Sequence, residues 1–132
     1  MTGGPRATGI GGVFFRSADP EALYRWYERH LGLRREGDTA VVLRWADDRP
    51  SGSTVFAIFP RDTSYFGPSG QPFMVNLRVH DLDGLLARLA ADGIEIDPRR
   101  EDFPYGRFAW IVDPDGNRVE LWEPPASDGA LT

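Results

Sequence analysis

Three polar side chains with the chemistry of a binding or catalytic site lie on two segments of alternating character. Glu120 lies in the segment 118–122, and Asn76 and Arg78 lie in the segment 74–78. A carboxylate in apolar surroundings can serve as a general acid or base, because burial raises its pKa. An arginine can bind a carboxylate or a phosphate through two hydrogen bonds. These residues indicate a small-molecule site, and a purely structural pairing of Glu120 with Arg78 or Asn76 is the alternative.

The composition disfavours other kinds of site. The chain has no cysteine, which excludes disulfides, thiolate metal sites and cysteine nucleophiles. Its two histidines, His30 and His80, fit surface positions better than ligand positions, and the glycines at 9–12 lack the spacing of a phosphate loop. The net charge of −5 argues against a nucleic-acid partner. The sequence has no apolar run of about 18 residues, which a membrane-spanning helix would need. We expect a cytoplasmic protein.

A repeat at low identity organises the chain. When Asp19 is aligned with Asp81, which is 62 residues further on, the apolar pattern of the two halves runs in step. The matched pairs are Val13 with Val75, Phe15 with Leu77, Arg16 with Arg78, Leu23 with Leu85 and Tyr27 with Leu89. Each half has an alternating strand, an aspartate that caps a helix, and a helix that ends near glycine. A working site is expected where the two copies meet.

The predicted elements give each copy the order βαβββ. In the first copy they are a strand at 10–16, a helix from Asp19 to Gly32, a weaker strand near 33–36, and strands at 41–45 and 54–59. In the second copy they are a strand at 73–79, a helix from Asp81 to Gly93, a short strand at 94–96, and strands at 108–112 and 118–122. Asp115-Gly116 favours a tight hairpin turn between the last two strands.

The length of 132 residues suits one domain. Residues 61–72 are rich in proline, glycine and serine, which predicts a linker between the copies. The expected parts are a flexible N-terminus at 1–9, a first module at 10–60, the linker at 61–72, a second module at 73–125 and a tail at 126–132.

The segment 105–125, YGRFAWIVDPDGNRVELWEPP, resembles the closing motif of the vicinal oxygen chelate superfamily. That group includes glyoxalase I, bleomycin-resistance proteins and extradiol dioxygenases. The resemblance covers residues 10–125 and includes both strand-to-helix segments. It implies an α+β fold in which two βαβββ modules form a curled mixed sheet around a shared cavity, with the helices outside. It also implies a homodimer.

Metal-dependent members of that superfamily place ligands on the first and last strand of each module. Carried over residue by residue, these positions are Gly12, Phe56, Met74 and Glu120 in this chain. Three of the four cannot hold a hard divalent cation, and one carboxylate alone is not a usable site. We therefore expect neither a metal nor another cofactor.

The alternation of strand side chains predicts which residues face the shared cavity. With Tyr105 added from the loop before the last hairpin, the expected lining is Phe14, Arg16, Phe56, Ile58, Met74, Asn76, Arg78, Tyr105, Glu120 and Trp122. The opposite, helix-packed set is Val13, Phe15, Val75, Leu77, Val79, Val119 and Leu121. Tyr65 and Phe66 in the linker would close the cavity mouth or serve as docking anchors. The structural alternative is that Phe14, Phe56 and Met74 only fill the cavity and bind nothing.

These expectations favour a protein that binds a small organic molecule, aromatic or anionic, without a metal. An enzyme is the alternative, either through acid–base catalysis by Glu120 or as a lyase or dioxygenase with unorthodox metal ligands. A structural or interaction module, with a filled cavity, is the third hypothesis.

Overall fold

The computed structural model describes residues 4–126. In chain order the elements are helix α1 (Pro20–Leu31), strand β1 (Val75–Arg78), helix α2 (Leu82–Ala91), and strands β2 (Glu101–Phe103), β3 (Gly106–Val112) and β4 (Arg118–Glu123). The four strands form one mixed sheet in the order β1-β4-β3-β2. Strand β1 pairs parallel to β4, and the other two pairs are antiparallel. The protein is thus an α+β fold with an open sheet and two helices.

Both helices begin where the sequence predicts. The Asp19 carboxylate accepts a hydrogen bond from the amide of Ala22 at 3.1 Å, and Pro20 follows at the first helical position. The Asp81 carboxylate accepts in the same way from Gly84 at 3.1 Å. Helix α1 ends at Gly32, whose φ of 71° is left-handed and therefore suits glycine.

The core lies between these helices and one face of the sheet. Its buried members are Leu23, Tyr27, Leu82, Leu89, Ala109, Ile111, Val119 and Leu121, with Leu77 and Val79 packed against them. Removal of this apolar surface from water is the main stabilising term of the fold. The prediction that these residues face the helices is confirmed for Leu77, Val79, Val119 and Leu121. Val13 and Phe15, which were predicted to share this face, are exposed.

The turn between β3 and β4 is fixed by one buried carboxylate. Asp113 accepts hydrogen bonds from the amides of Asp115 and Asn117 and from the Asn117 side chain, each at 2.9 Å. It also accepts from the Tyr27 hydroxyl at 2.7 Å, which ties the turn to α1. Burial, and then this bond to Asp113, raises the pKa of the Tyr27 phenol. Gly116 takes the positive φ predicted for the turn, 83°.

The first half departs from the prediction. Residues 10–16, 41–45 and 54–59 are not strands; this part of the described chain has one isolated bridge, Arg35 to Val41, and a short 3₁₀ turn at Trp45–Asp47. A strand needs a hydrogen-bonded neighbour, and within the described residues the only strand-type pairing of these segments is that single bridge. The two-module description is therefore not confirmed, because only the second half forms a complete βαβββ unit.

A smaller correction concerns the short strand predicted at 94–96. Ile96 makes only an isolated bridge to Ile111, and the strand that pairs with β3 is Glu101–Phe103. Ile94 and Ile96 pack instead against the core cluster, which explains why they are apolar. No helix among residues 4–126 is long and apolar enough to cross a bilayer.

Candidate functional site

The sheet face opposite the core carries most of the second-half residues that the sequence indicated. Residues paired across neighbouring strands point to the same side, so the register defines this face row by row. One row joins Asn76, Glu120 and Trp110, and the next joins Arg78, Trp122, Phe108 and Glu101. We call this surface the aromatic face. Asn76 and Arg78 at its edge are exposed, whereas Glu120, Trp110 and Trp122 are buried.

Glu120 lies at the centre of the first row and has only 6% of its surface exposed. Its Oε1 accepts a hydrogen bond from Asn76 Nδ2 at 2.5 Å, and its Oε2 accepts from Trp110 Nε1 at 3.0 Å. The hydroxyl of Tyr65 also donates to Oε2. Three donors therefore compensate the loss of water around this carboxylate.

Tyr65 reaches Glu120 from the linker. Its ring is stacked on Phe59, with centroids 5.3 Å apart and planes 7° apart, and it meets Trp110 edge to face at 5.9 Å. Burial, followed by the hydrogen bond to Glu120, raises the pKa of the Tyr65 phenol, so the hydroxyl keeps its proton at neutral pH. Glu120 could take a proton from a substrate only if a donor group of the substrate replaced the Tyr65 hydroxyl at Oε2.

Arg78 is held at the edge of the face by the first half of the chain. Its Nε donates to Asp48 Oδ2 at 2.8 Å, and another guanidinium nitrogen donates to the carbonyl of Ser53 at 2.9 Å. Burial alone would raise the pKa of Asp48, but hydrogen bonds from Arg78 and from the Arg49 amide lower it. The guanidinium lies 5.9 Å from the centroid of the Trp122 ring. Arg78 thus already binds one carboxylate beside an aromatic ring.

Four aromatic rings extend the second row towards β2. Phe108 is stacked with Trp122 at 6.2 Å, Tyr105 lies 5.9 Å from Phe108, and Phe103 is stacked with Tyr105 at 5.1 Å. The indole nitrogen of Trp122 donates to the Tyr105 carbonyl at 3.0 Å. Phe103 and Tyr105 are more than 40% exposed. The sequence interpretation missed Phe103 and Phe108, although the cross-strand partner of Trp122 must share its face.

Four of the other predicted lining residues lie on segments outside the sheet, and the fifth, Met74, lies at its edge. Phe14, Phe56 and Ile58 are 95%, 78% and 87% exposed, on the segments that lack strand partners. Arg16 is exposed and borders a shallow depression with Asp115 and Asn117. Met74 is half-buried and directly precedes β1. The chain therefore brings together Asn76, Arg78, Tyr105, Glu120 and Trp122 on the aromatic face, with Met74 two residues before Asn76, whereas Phe14, Arg16, Phe56 and Ile58 lie on segments outside the sheet.

The positions that hold ligands in metal-dependent relatives do not fit a divalent cation here. Gly12 and Phe56 offer no side-chain donor atom, and Met74 offers only a thioether. Glu120 already accepts three hydrogen bonds. Among residues 4–126, no three histidine, aspartate or glutamate side chains cluster as ligands would.

Comparisons with known proteins agree with this fold. A family model described as the Glyoxalase/Bleomycin resistance protein/Dioxygenase superfamily matches residues 9–121. TnmS3, an antibiotic binding protein from Streptomyces sp. CB03234, is 21% identical over 90% of this chain and 100% of its own, with a TM-score of 0.51. At this identity the likeness shows the fold alone.

Two further solved structures are similar over different lengths. A glyoxalase/bleomycin resistance protein from Streptomyces sp. CB03234 is 39% identical over 37% of this chain, with a TM-score of 0.34, and the match spans 42% of that protein. A member of the same superfamily from Sphaerobacter thermophilus DSM 20745 is 23% identical over 81% of this chain and 90% of its own, with a TM-score of 0.47. No curated protein has a sequence that matches this chain.

Proposed function

Because this chain belongs to the Glyoxalase/Bleomycin resistance protein/Dioxygenase superfamily, we propose that it binds a small organic molecule on its aromatic face, without a metal ion. The observation that carries the proposal is the set of stacked rings beside Arg78 on the side of the sheet opposite α1 and α2. Apolar walls with a few convergent polar groups are typical of small-molecule sites. TnmS3, named as an antibiotic binding protein, shares the fold, which supports the proposal by analogy only.

The ligand class follows from the groups on this face. Flat rings of Trp122 and Phe108 favour a planar aromatic ligand. Arg78 holds the Asp48 carboxylate through two guanidinium nitrogens, so an anionic group on the ligand can replace Asp48 with the same geometry. The ligand we propose is therefore a planar aromatic molecule with a carboxylate or another anionic group.

We further propose that the protein acts as a homodimer. The outer edge of β1 has no strand beside it within the described chain, and residues 10–16 and 54–59 alternate like strands while exposing large apolar side chains. A second copy would provide the missing strand partners and cover these side chains. Phe14, Phe56 and Ile58 would then belong to a pocket formed by two chains.

The test of the ligand class compares two probes that differ only in charge. We expect naphthalene-2-carboxylate to bind the unaltered protein about tenfold more tightly than naphthalene-2-carboxamide, measured by isothermal titration calorimetry and by thermal stabilisation. Arg78→Gln should remove this difference, because it removes the cation that selects the anion. Arg34→Gln is the control, since the Arg34 side chain is 84% exposed and is paired with Glu28 on α1.

Two outcomes would contradict the proposal. Absence of binding by either probe would argue against an aromatic ligand on this face. An unchanged preference for the carboxylate in Arg78→Gln would show that Arg78 does not bind the anionic group.

A further inference from the structure

We infer that the Tyr65 side chain occupies a subsite of the ligand pocket, and that this subsite accepts a neutral phenol or another aromatic group bearing a hydroxyl or N–H donor. The inference rests on the proposed function and deepens it by naming a second recognition element, Glu120. The Tyr65 ring is stacked on Phe59 and perpendicular to the Trp110 ring, and its hydroxyl donates to Glu120 Oε2. This arrangement is a complete phenol site, filled by a side chain of the linker.

The three donors to Glu120 differ in how firmly the fold holds them. Asn76 and Trp110 are the strand neighbours of Glu120, so the sheet register fixes both. Tyr65 belongs to the linker, which has no strand and only a short 3₁₀ turn, Gly67–Ser69. A ligand can therefore replace Tyr65 without disturbing the sheet, whereas it cannot replace the other two.

The linker is attached to the sheet face by few polar contacts. Apart from the bond of Tyr65 to Glu120, the described hydrogen bonds within 61–72 are local, such as Thr63 to Pro60, Gly67 to Ser64 and Gln71 to Ser69. In the described part of the chain, the bond from Tyr65 to Glu120 is the one hydrogen bond that joins this linker to the sheet. The cost of displacing Tyr65 is thus mainly one hydrogen bond and two ring contacts, which a ligand phenol would restore.

Neighbouring charges select a neutral donor. Glu120 is an acceptor, and Glu101 lies near enough to Tyr65 to oppose a negative charge on its oxygen. Arg99, which lies 5.5 Å from the Trp110 ring, is paired with Glu101 through its Nε at 2.8 Å. A phenolate would be repelled here, while a protonated phenol would donate as Tyr65 does.

The test uses 4-methylphenol, which has the shape of the tyrosine side chain, and toluene, which lacks the hydroxyl. Tyr65→Phe keeps the ring but removes its hydrogen bond to Glu120, so the linker side chain competes less well for the subsite. We expect 4-methylphenol to bind Tyr65→Phe about tenfold more tightly than the unaltered protein by calorimetry. Tyr65→Ala, which empties the slot, should bind it more tightly still. In both variants toluene should bind about tenfold more weakly than 4-methylphenol.

Tyr24→Phe is the matched control, because it also removes a tyrosine hydroxyl, but on α1, where the Tyr24 ring lies against the Arg35 guanidinium. It should leave the affinity for 4-methylphenol unchanged. The comparison of Tyr65→Phe with the unaltered protein does not depend on whether Tyr65→Ala folds. Equal affinity of these two proteins for 4-methylphenol, or equal affinity of Tyr65→Phe for toluene and 4-methylphenol, would overturn the inference. Either result would leave the naphthalene carboxylate test at Arg78 unaffected, so the two proposals can fail separately.

Discussion

The Glu120 carboxylate accepts hydrogen bonds from Trp110, Asn76 and Tyr65, which are 10, 44 and 55 residues away in the sequence. Trp110 and Asn76 are sheet neighbours, so a correct strand register would have predicted both contacts. The pairing of Glu120 with Asn76 was among the alternatives that the sequence offered. The contact with Tyr65 could not be predicted, because the linker has no periodic pattern that would fix where its side chains reach.

Tyr27 provides a residue-scale test of how the fold is held together. Tyr27→Phe removes the 2.7 Å hydrogen bond to Asp113 and leaves a buried carboxylate with one donor fewer. We expect a loss of about 1–2 kcal/mol in the free energy of unfolding, measured by urea denaturation. The control is again Tyr24→Phe, since the Tyr24 hydroxyl is not part of this turn. Equal stability of the two variants would show that the bond to Asp113 contributes little.

At the scale of elements, the helices and the last hairpin were predictable because their signals are local. Asp19 with Pro20, and Asp115 with Gly116, mark a helix start and a turn within a few residues. The segments 10–16 and 54–59 carry an equally clear alternation but are not strands in this chain. Alternation of apolar and polar residues indicates a segment with one apolar and one polar face. Whether that segment forms a strand depends on a hydrogen-bonding neighbour that the local sequence does not specify.

The β2–β3 hairpin gives a prediction at this scale. Gly106 has a φ of 141°, and a Cβ at this position would lie 2.1 Å from Trp122 Nε1. Gly106→Ala should therefore displace Trp122 from the Tyr105 carbonyl and cost about 2–4 kcal/mol of unfolding free energy. Urea denaturation and near-ultraviolet circular dichroism of tryptophan would measure both effects.

Gly11→Ala is the matched control for this hairpin, because a Cβ at Gly11 would meet nothing within 4 Å. If Gly106→Ala were as stable as Gly11→Ala, the close approach of Trp122 to the turn would not be a requirement of the fold.

At the scale of the whole molecule, the two halves of the chain are unequally covered. The second half has a helix-packed core, whereas the first exposes Phe14, Trp45, Phe56 and Ile58, each by more than three quarters of its surface. Large apolar side chains grouped on exposed segments are typical of protein interfaces. The 62-residue repeat gives the first half the same strand-to-helix pattern as the half that does form a sheet. The homodimer proposal follows from this mismatch between pattern and partner.

The dimer proposal predicts a specific loss of assembly. We expect the unaltered protein to sediment as a dimer at micromolar concentrations, and Phe56→Asp to sediment as a monomer, because a buried unpaired carboxylate would oppose the interface. Ala87→Asp adds the same charge at an exposed position of α2 and should remain a dimer. The monomeric variant should also lose affinity for naphthalene-2-carboxylate, since Phe56 is proposed to line the pocket of the assembled dimer. A monomeric unaltered protein that binds this probe fully would mean that one chain alone completes the site.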